Sequence, residues 1–204
     1  MELTTGLRAA DLRVGADYEG ARPERRAQAV ELRRRRRVGL GDLLSLVFEN
    51  AQTLRAAAEE SLRAERLEDP ESVGAEAARW QPLLPAPGQL AASLYLEVAD
   101  AARLGALAAD LAAIAATVYL EVDARRSPAL VATPAAGAAD SLPAPAAYLR
   151  FELTDSQREA WREGARVILG VAHPRCAATT ELSDEQRAAI AQDLDPGRAE
   201  GGPR

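Results

Sequence analysis

His173 is the only histidine of the chain and stands before Pro174, at the end of an apolar run from Arg166 to Ala172 that reads as a strand. Imidazole titrates near neutrality and ligates iron or zinc, so a histidine at a strand end can serve as a general base or a metal ligand. Two carboxylates extend this to a candidate set. Glu49 closes the apolar run Leu43 to Phe48, and Glu60 lies on the helix that follows. Two carboxylates and one imidazole can hold a non-haem iron, which gives one of two functional readings: a metal-dependent enzyme centred on His173, Glu49 and Glu60, with iron as its cofactor. The helical Glu-x-x-His spacing of di-iron bundles is absent. The plainer readings are a histidine hydrogen-bonded at a strand end, and ion pairs of Glu60 and Glu65 with Arg63 and Arg66.

Arg33 to Arg37 are five successive arginines. A helix spreads them around its circumference, so only one or two can face a given partner. Arg33, Arg34, Arg36 and Arg37, with Arg63 on the next helix, are the candidates for contact with an anion or an acidic protein. The net charge of -6 and an aromatic content of 4% argue against nucleic acid as the partner. The competing reading is a solvated face whose arginine stems cover their neighbours. Cys176, the single cysteine, lies three residues after His173; it is expected as a buried, inert thiol rather than a thiolate assisted by the imidazole. All 25 basic residues are arginine, which excludes Schiff-base chemistry and phosphate binding through a P-loop lysine. Nucleophile-elbow, dinucleotide-binding, metalloprotease and zinc-ribbon patterns are missing as well.

The elements that must position these residues can be placed from periodicity and breakers. Leu7 to Tyr18 is broken by Gly15 and is expected as a short helix or turn, part of an N-terminal arm over 1–21. Pro23 opens a helix to Arg37, which Gly39 ends or shortly follows. Leu43 to Phe48 suits a buried strand. Ala51 to Leu67, rich in Ala, Leu, Glu and Arg, is the strongest helix signal, supported by Arg55, Glu59 and Arg63 one turn apart and stopped by Asp69-Pro70. A shorter helix around Ser72 to Trp80 leads into the proline-rich connection Gln81 to Gly88. Strands are expected at Ala92 to Val98, Thr117 to Val122 with a hairpin partner at Ala129 to Ala132, Ala147 to Leu153 and Arg166 to Ala172. Helices are expected at Ala101 to Ala115, Asp155 to Glu163, and Ser183 to Leu194, where Ser183 and Gln186 have capping-box spacing. Trp80 and Trp161 are expected as core or interface anchors. The Ala- and Pro-rich stretch Pro134 to Pro145 is expected as a flexible loop and 195–204 as a disordered tail. Uneven gaps between strands, and no glycine-rich phosphate turn, favour one α+β domain over 22–194, a mainly antiparallel sheet flanked by helices. No apolar run approaches the roughly 18 residues of a membrane span, and a signal peptide's basic-then-apolar order is missing at Met1 to Thr5, so a cytoplasmic protein is expected.

Several short motifs occur in a recognisable order: Arg22-Pro23-Glu24-Arg25-Arg26, Arg37-Val38-Gly39-Leu40-Gly41, Phe48-Glu49, Leu62-Arg63-Ala64-Glu65-Arg66, Leu83-Leu84-Pro85, Leu149-Arg150-Phe151, Gly170-Val171-Ala172-His173-Pro174 and Asp193-Leu194. Together they resemble a bacterial family of unknown function, domain of unknown function 3501, over almost the whole chain. The resemblance implies a link to redox or iron metabolism, because such members are often encoded near rubrerythrin-like and iron-sulfur proteins. It implies no activity. The expectation that follows is an accessory or interaction protein whose partner is a rubrerythrin-like or iron-sulfur protein. The chain departs from the family's pattern at Glu59-Glu60-Ser61, where Gln-Glu-Met is usual, at Cys176, where an aromatic is usual, and at Pro134 to Pro145, where the family is acidic.

Overall fold

The computed structural model describes residues 6–132 and 147–194; the expected loop at Pro134 to Pro145 and tail at 195–204 lie outside them. Among the described residues eight strands form one antiparallel sheet: β1 (Arg37–Leu40), β2 (Leu44–Glu49), β3 (Gln89–Leu96), β4 (Val118–Val122), β5 (Arg125–Ala132), β6 (Ala147–Glu152), β7 (Val167–Val171) and β8 (Ala178–Glu181). Their order is β1-β2-β3-β6-β5-β4-β7-β8, and the sheet curls until its two edges meet. The seam between the edges is made by side chains: Thr180 Oγ1 donates to the Gly39 carbonyl and Gln186 Nε2 to the Arg37 carbonyl, each at 2.6 Å. The result is an α+β domain with an antiparallel sheet, as the sequence suggests, and its nearly closed, barrel-like form goes beyond that expectation.

Seven α-helices accompany the sheet among the described residues: α1 (Gly15–Arg36), α2 (Ala51–Glu65), α3 (Pro70–Trp80), α4 (Ala101–Ala109), α5 (Leu111–Ala116), α6 (Asp155–Arg162) and α7 (Asp184–Ala191). Alternation along the strands sorts side chains to two cores. Leu44, Leu46 and Phe48 of β2 face inward with Leu90, Leu149 and Phe151, joined by Trp161 of α6 and Ile190 of α7. A second core on the outer face packs Leu54, Ala58 and Leu62 of α2 with Trp80 of α3 and Tyr148 of β6. Both tryptophans are therefore core anchors. Among the described residues no helix is long and apolar enough to cross a membrane.

Four expectations need correction. The first helix begins at Gly15 rather than Pro23 and crosses the expected boundary of the N-terminal arm; Gly15 sits at φ +57 and starts the helix instead of breaking a shorter one. Arg37 opens β1 rather than ending the helix, and Gly39 shortly follows the helix end, inside that strand. Asp69 does not only stop α2: its side chain accepts from the Ser72 N–H and caps α3. The expected helix over Ala101 to Ala115 is two helices divided at Asp110.

Candidate functional site

The residues singled out for metal binding are placed in separate settings, each with a local partner. Glu49 is 3% exposed and accepts from the Ser93 hydroxyl at 2.6 Å, while its Oε2 has no hydrogen-bond partner among the described residues. Glu60 accepts from Arg22 Nε and from the Tyr18 hydroxyl, both at 2.9 Å. Burial raises the Glu60 carboxyl, but the Arg22 and Tyr18 hydrogen bonds outweigh it and hold the group below the usual carboxylate range. His173 is half-buried, and its Nδ1 faces the Arg175 N–H at 3.4 Å in a local turn. Among the described residues no group of three His, Cys, Asp or Glu side chains is arranged to hold a metal ion. Cys176 is buried in the inner core and its thiol is pushed up by desolvation, in keeping with an inert role.

The arginine run is largely occupied by internal acids. Arg34 and Arg35 share Glu31 on their own helix and Glu185 on α7, and they hold the Glu31 carboxyl down at about 2. Arg36 is 1% exposed, donating to the carbonyls of Phe48 and Ala189 at 2.7 Å and to the Asp193 carboxylate. It cannot reach an external partner. Arg37 pairs with Glu97 on the chain just beyond β3. Arg33 turns toward the outer sheet face, where its Nε is buried without a partner among the described residues and its charge acts on Tyr95 and Tyr148. Burial raises both of those tyrosines, and the nearby Glu49 adds to the effect. The run thus clasps α1 to α7 and to the sheet.

One concavity among the described residues was not anticipated. A cleft of about 500 Å³ opens between the first turns of α1, from Val14 to Glu19, and the end of α2 with the residues after it, from Glu59 to Glu68. Tyr18, Glu19, Glu59 and Arg63 line it, and ion pairs tie Glu59 and the neighbouring Glu60, which accepts from Tyr18, to Arg25 and Arg22 behind the wall. Glu59, 1% exposed, takes Arg25 NH1 at 2.7 Å and the Arg13 N–H at 3.1 Å. Arg63 pairs with Glu19 at 2.6 Å. Tyr18, pushed up to about 12 by burial and by its bond to Glu60, remains a hydrogen donor. The expected one-turn pairs along α2 are replaced by pairs across to α1, because burial against that helix turns Glu59 and Glu60 toward it. A signal existed in the two arginine- and glutamate-rich motifs, but their separation of 38 residues between Arg22 and Glu60 hides the pairing.

A family model described as a protein of unknown function (DUF3501) matches residues 6–194. A crystal structure of a protein of unknown function from Burkholderia pseudomallei K96243 superposes with a TM-score of 0.81 at 28% identity, covering 90% of this chain and 96% of that one. No curated protein sequence matches the chain.

Proposed function

The chain belongs to the family described as protein of unknown function (DUF3501), and from that premise we propose that it is a non-catalytic accessory protein that docks to a protein partner of redox or iron metabolism. One observation carries the reading: the side chains best suited to chemistry, Glu60, His173 and Arg34 to Arg37 of the arginine run, are already engaged by partners within the fold. A catalytic acid or base must be free to meet substrate. The redox or iron link comes from the resemblance, whose members are often encoded near rubrerythrin-like and iron-sulfur proteins; a protein of that kind is the proposed partner. The alternative of an iron enzyme on His173, Glu49 and Glu60 requires three ligands to converge, and these have separate partners.

The test is isolation of the tagged chain from its own cells under mild conditions, with mass spectrometry and elemental analysis on one sample. The expected result is a redox or iron protein co-purifying in fixed ratio, with a chain that, once stripped of it, keeps its melting temperature in chelator. Recovery of the chain alone, carrying stoichiometric metal whose removal lowers its stability, would overturn the proposal.

A further inference from the structure

We infer that the cleft between α1 and α2 is a binding site for a small zwitterion: a molecule with one anionic group and one ammonium joined through an apolar body. At about 500 Å³ the cleft falls within the size range of small-molecule sites. Val14, Ala16, Leu62 and Leu67 supply apolar surface. Its charges divide into two groups. Glu59 is neutralised by Arg25 and Arg63 by Glu19. Arg66 and Glu68, on either side of Leu67, line the cleft with no hydrogen bond or ion pair to their side chains among the described residues. One cation and one anion are left over. A lone anion would meet Glu68 and a lone cation Arg66, so a ligand carrying both charges is the species that pairs with each and is repelled by neither.

Two left-handed residues from different segments fix this arrangement. Arg66 ends α2 at φ 57, and its N–H, with that of Leu67, closes the last turn onto the carbonyls of Leu62 and Arg63. Gly15 opens α1 at φ +57, and a Cβ there would lie 2.6 Å from the Glu68 carboxylate. A side chain at 15 would push the Glu68 carboxylate from its present place, and the positive φ there favours glycine. Both charged groups are solvated, so the affinity belongs in the range of about 1 mM rather than the nanomolar range.

The site is tested with ¹⁵N-labelled full chain at low ionic strength, titrated with 6-aminohexanoate and L-leucine, whose charges differ in separation, and with hexanoate and hexylamine as singly charged controls. Saturable shifts are expected at the amides of Gly15, Arg66 and Leu67 with at least one zwitterion, and binding roughly fivefold or more weaker for both controls. Glu68→Gln and Arg66→Gly should each weaken the zwitterion by about the same factor. Glycine suits the backbone at 66, so that variant stays folded and its loss of binding reports the guanidinium. No saturation up to about 10 mM, equal binding of the controls, or unchanged affinity in both variants would overturn the inference. These outcomes do not depend on whether a protein partner is found.

Discussion

Arg66 occupies a left-handed backbone conformation, φ 57, that costs an L side chain about 1–2 kcal/mol. Replacing it with glycine relieves that cost and adds some chain entropy to the unfolded state, so Arg66→Gly should stabilise the protein by about 0.5–1 kcal/mol. A urea titration with unchanged slope reads this directly; a fall in the midpoint would show that the guanidinium supports the fold. Arg36 is the opposite case. It is fully buried and serves two carbonyls and Asp193, so Arg36→Met strands a buried carboxylate and should cost about 3–5 kcal/mol. Removing both charges, as Arg36→Met with Asp193→Leu, should recover most of that loss, since a buried ion pair gains little over apolar packing. Burial raises the Asp193 carboxyl even against the pull of Arg36. Its contribution to stability is thus complete below the ordinary value of 3.8 and disappears as pH rises through the higher folded value. Asp193→Asn should flatten that part of the stability profile; an unchanged profile would assign the slope to other groups.

Among the elements, the seam between β1 and β8 depends on few bonds. Thr180 reaches the Gly39 carbonyl from β8 and Gln186 reaches the Arg37 carbonyl from α7. Thr180→Val keeps the shape and removes one bond, for a cost of about 0.5–1.5 kcal/mol. Faster amide exchange in β1 with β3 unchanged would place the loss at the seam, and equal acceleration in both strands would contradict it. The same two strands show where the sequence was hard to read. β2 and α2 were legible because an apolar run and a long breaker-free stretch each carry their own signal. β1, Arg37-Val38-Gly39-Leu40, is four residues long and hidden behind an arginine run that reads as helix. β8, Ala-Thr-Thr-Glu, buries none of its residues and so carries no apolar alternation. Strand pairing holds these segments in place, and pairing is long-range information. The cleft was illegible for the same reason: Glu59 and Glu60 signal pairs along their own helix, whereas Arg22 and Arg25 on α1 take them.

At the scale of the whole molecule, α1 is held largely by charge and little by apolar contact. Over Gly15–Arg36 it buries only Tyr18 and Arg36. Its N-terminal half leans on α2 through Arg22, Arg25, Glu19 and Tyr18, and its C-terminal end is locked to α7 and β2 through Arg36. Acid should act on these two ends in opposite directions. Glu60, held low by Arg22 and Tyr18, supports the N-terminal half fully above its ordinary value of 4.5 and loses that support as pH falls through the lower folded value. Asp193, raised by burial, gains with acid, and Arg36 keeps its two carbonyl bonds when that carboxyl is protonated. Helix α1 should therefore open from its cleft end while its far end stays attached. Protection factors for amides 18–27 should fall as pH drops below 4.5, with those of 32–36 and of strands β3 and β6 retained. Loss of protection along all of α1 together with the sheet would mean that one cooperative unit spans both cores. Opening at the cleft end alone would leave the outer layer free to move without disturbing the barrel.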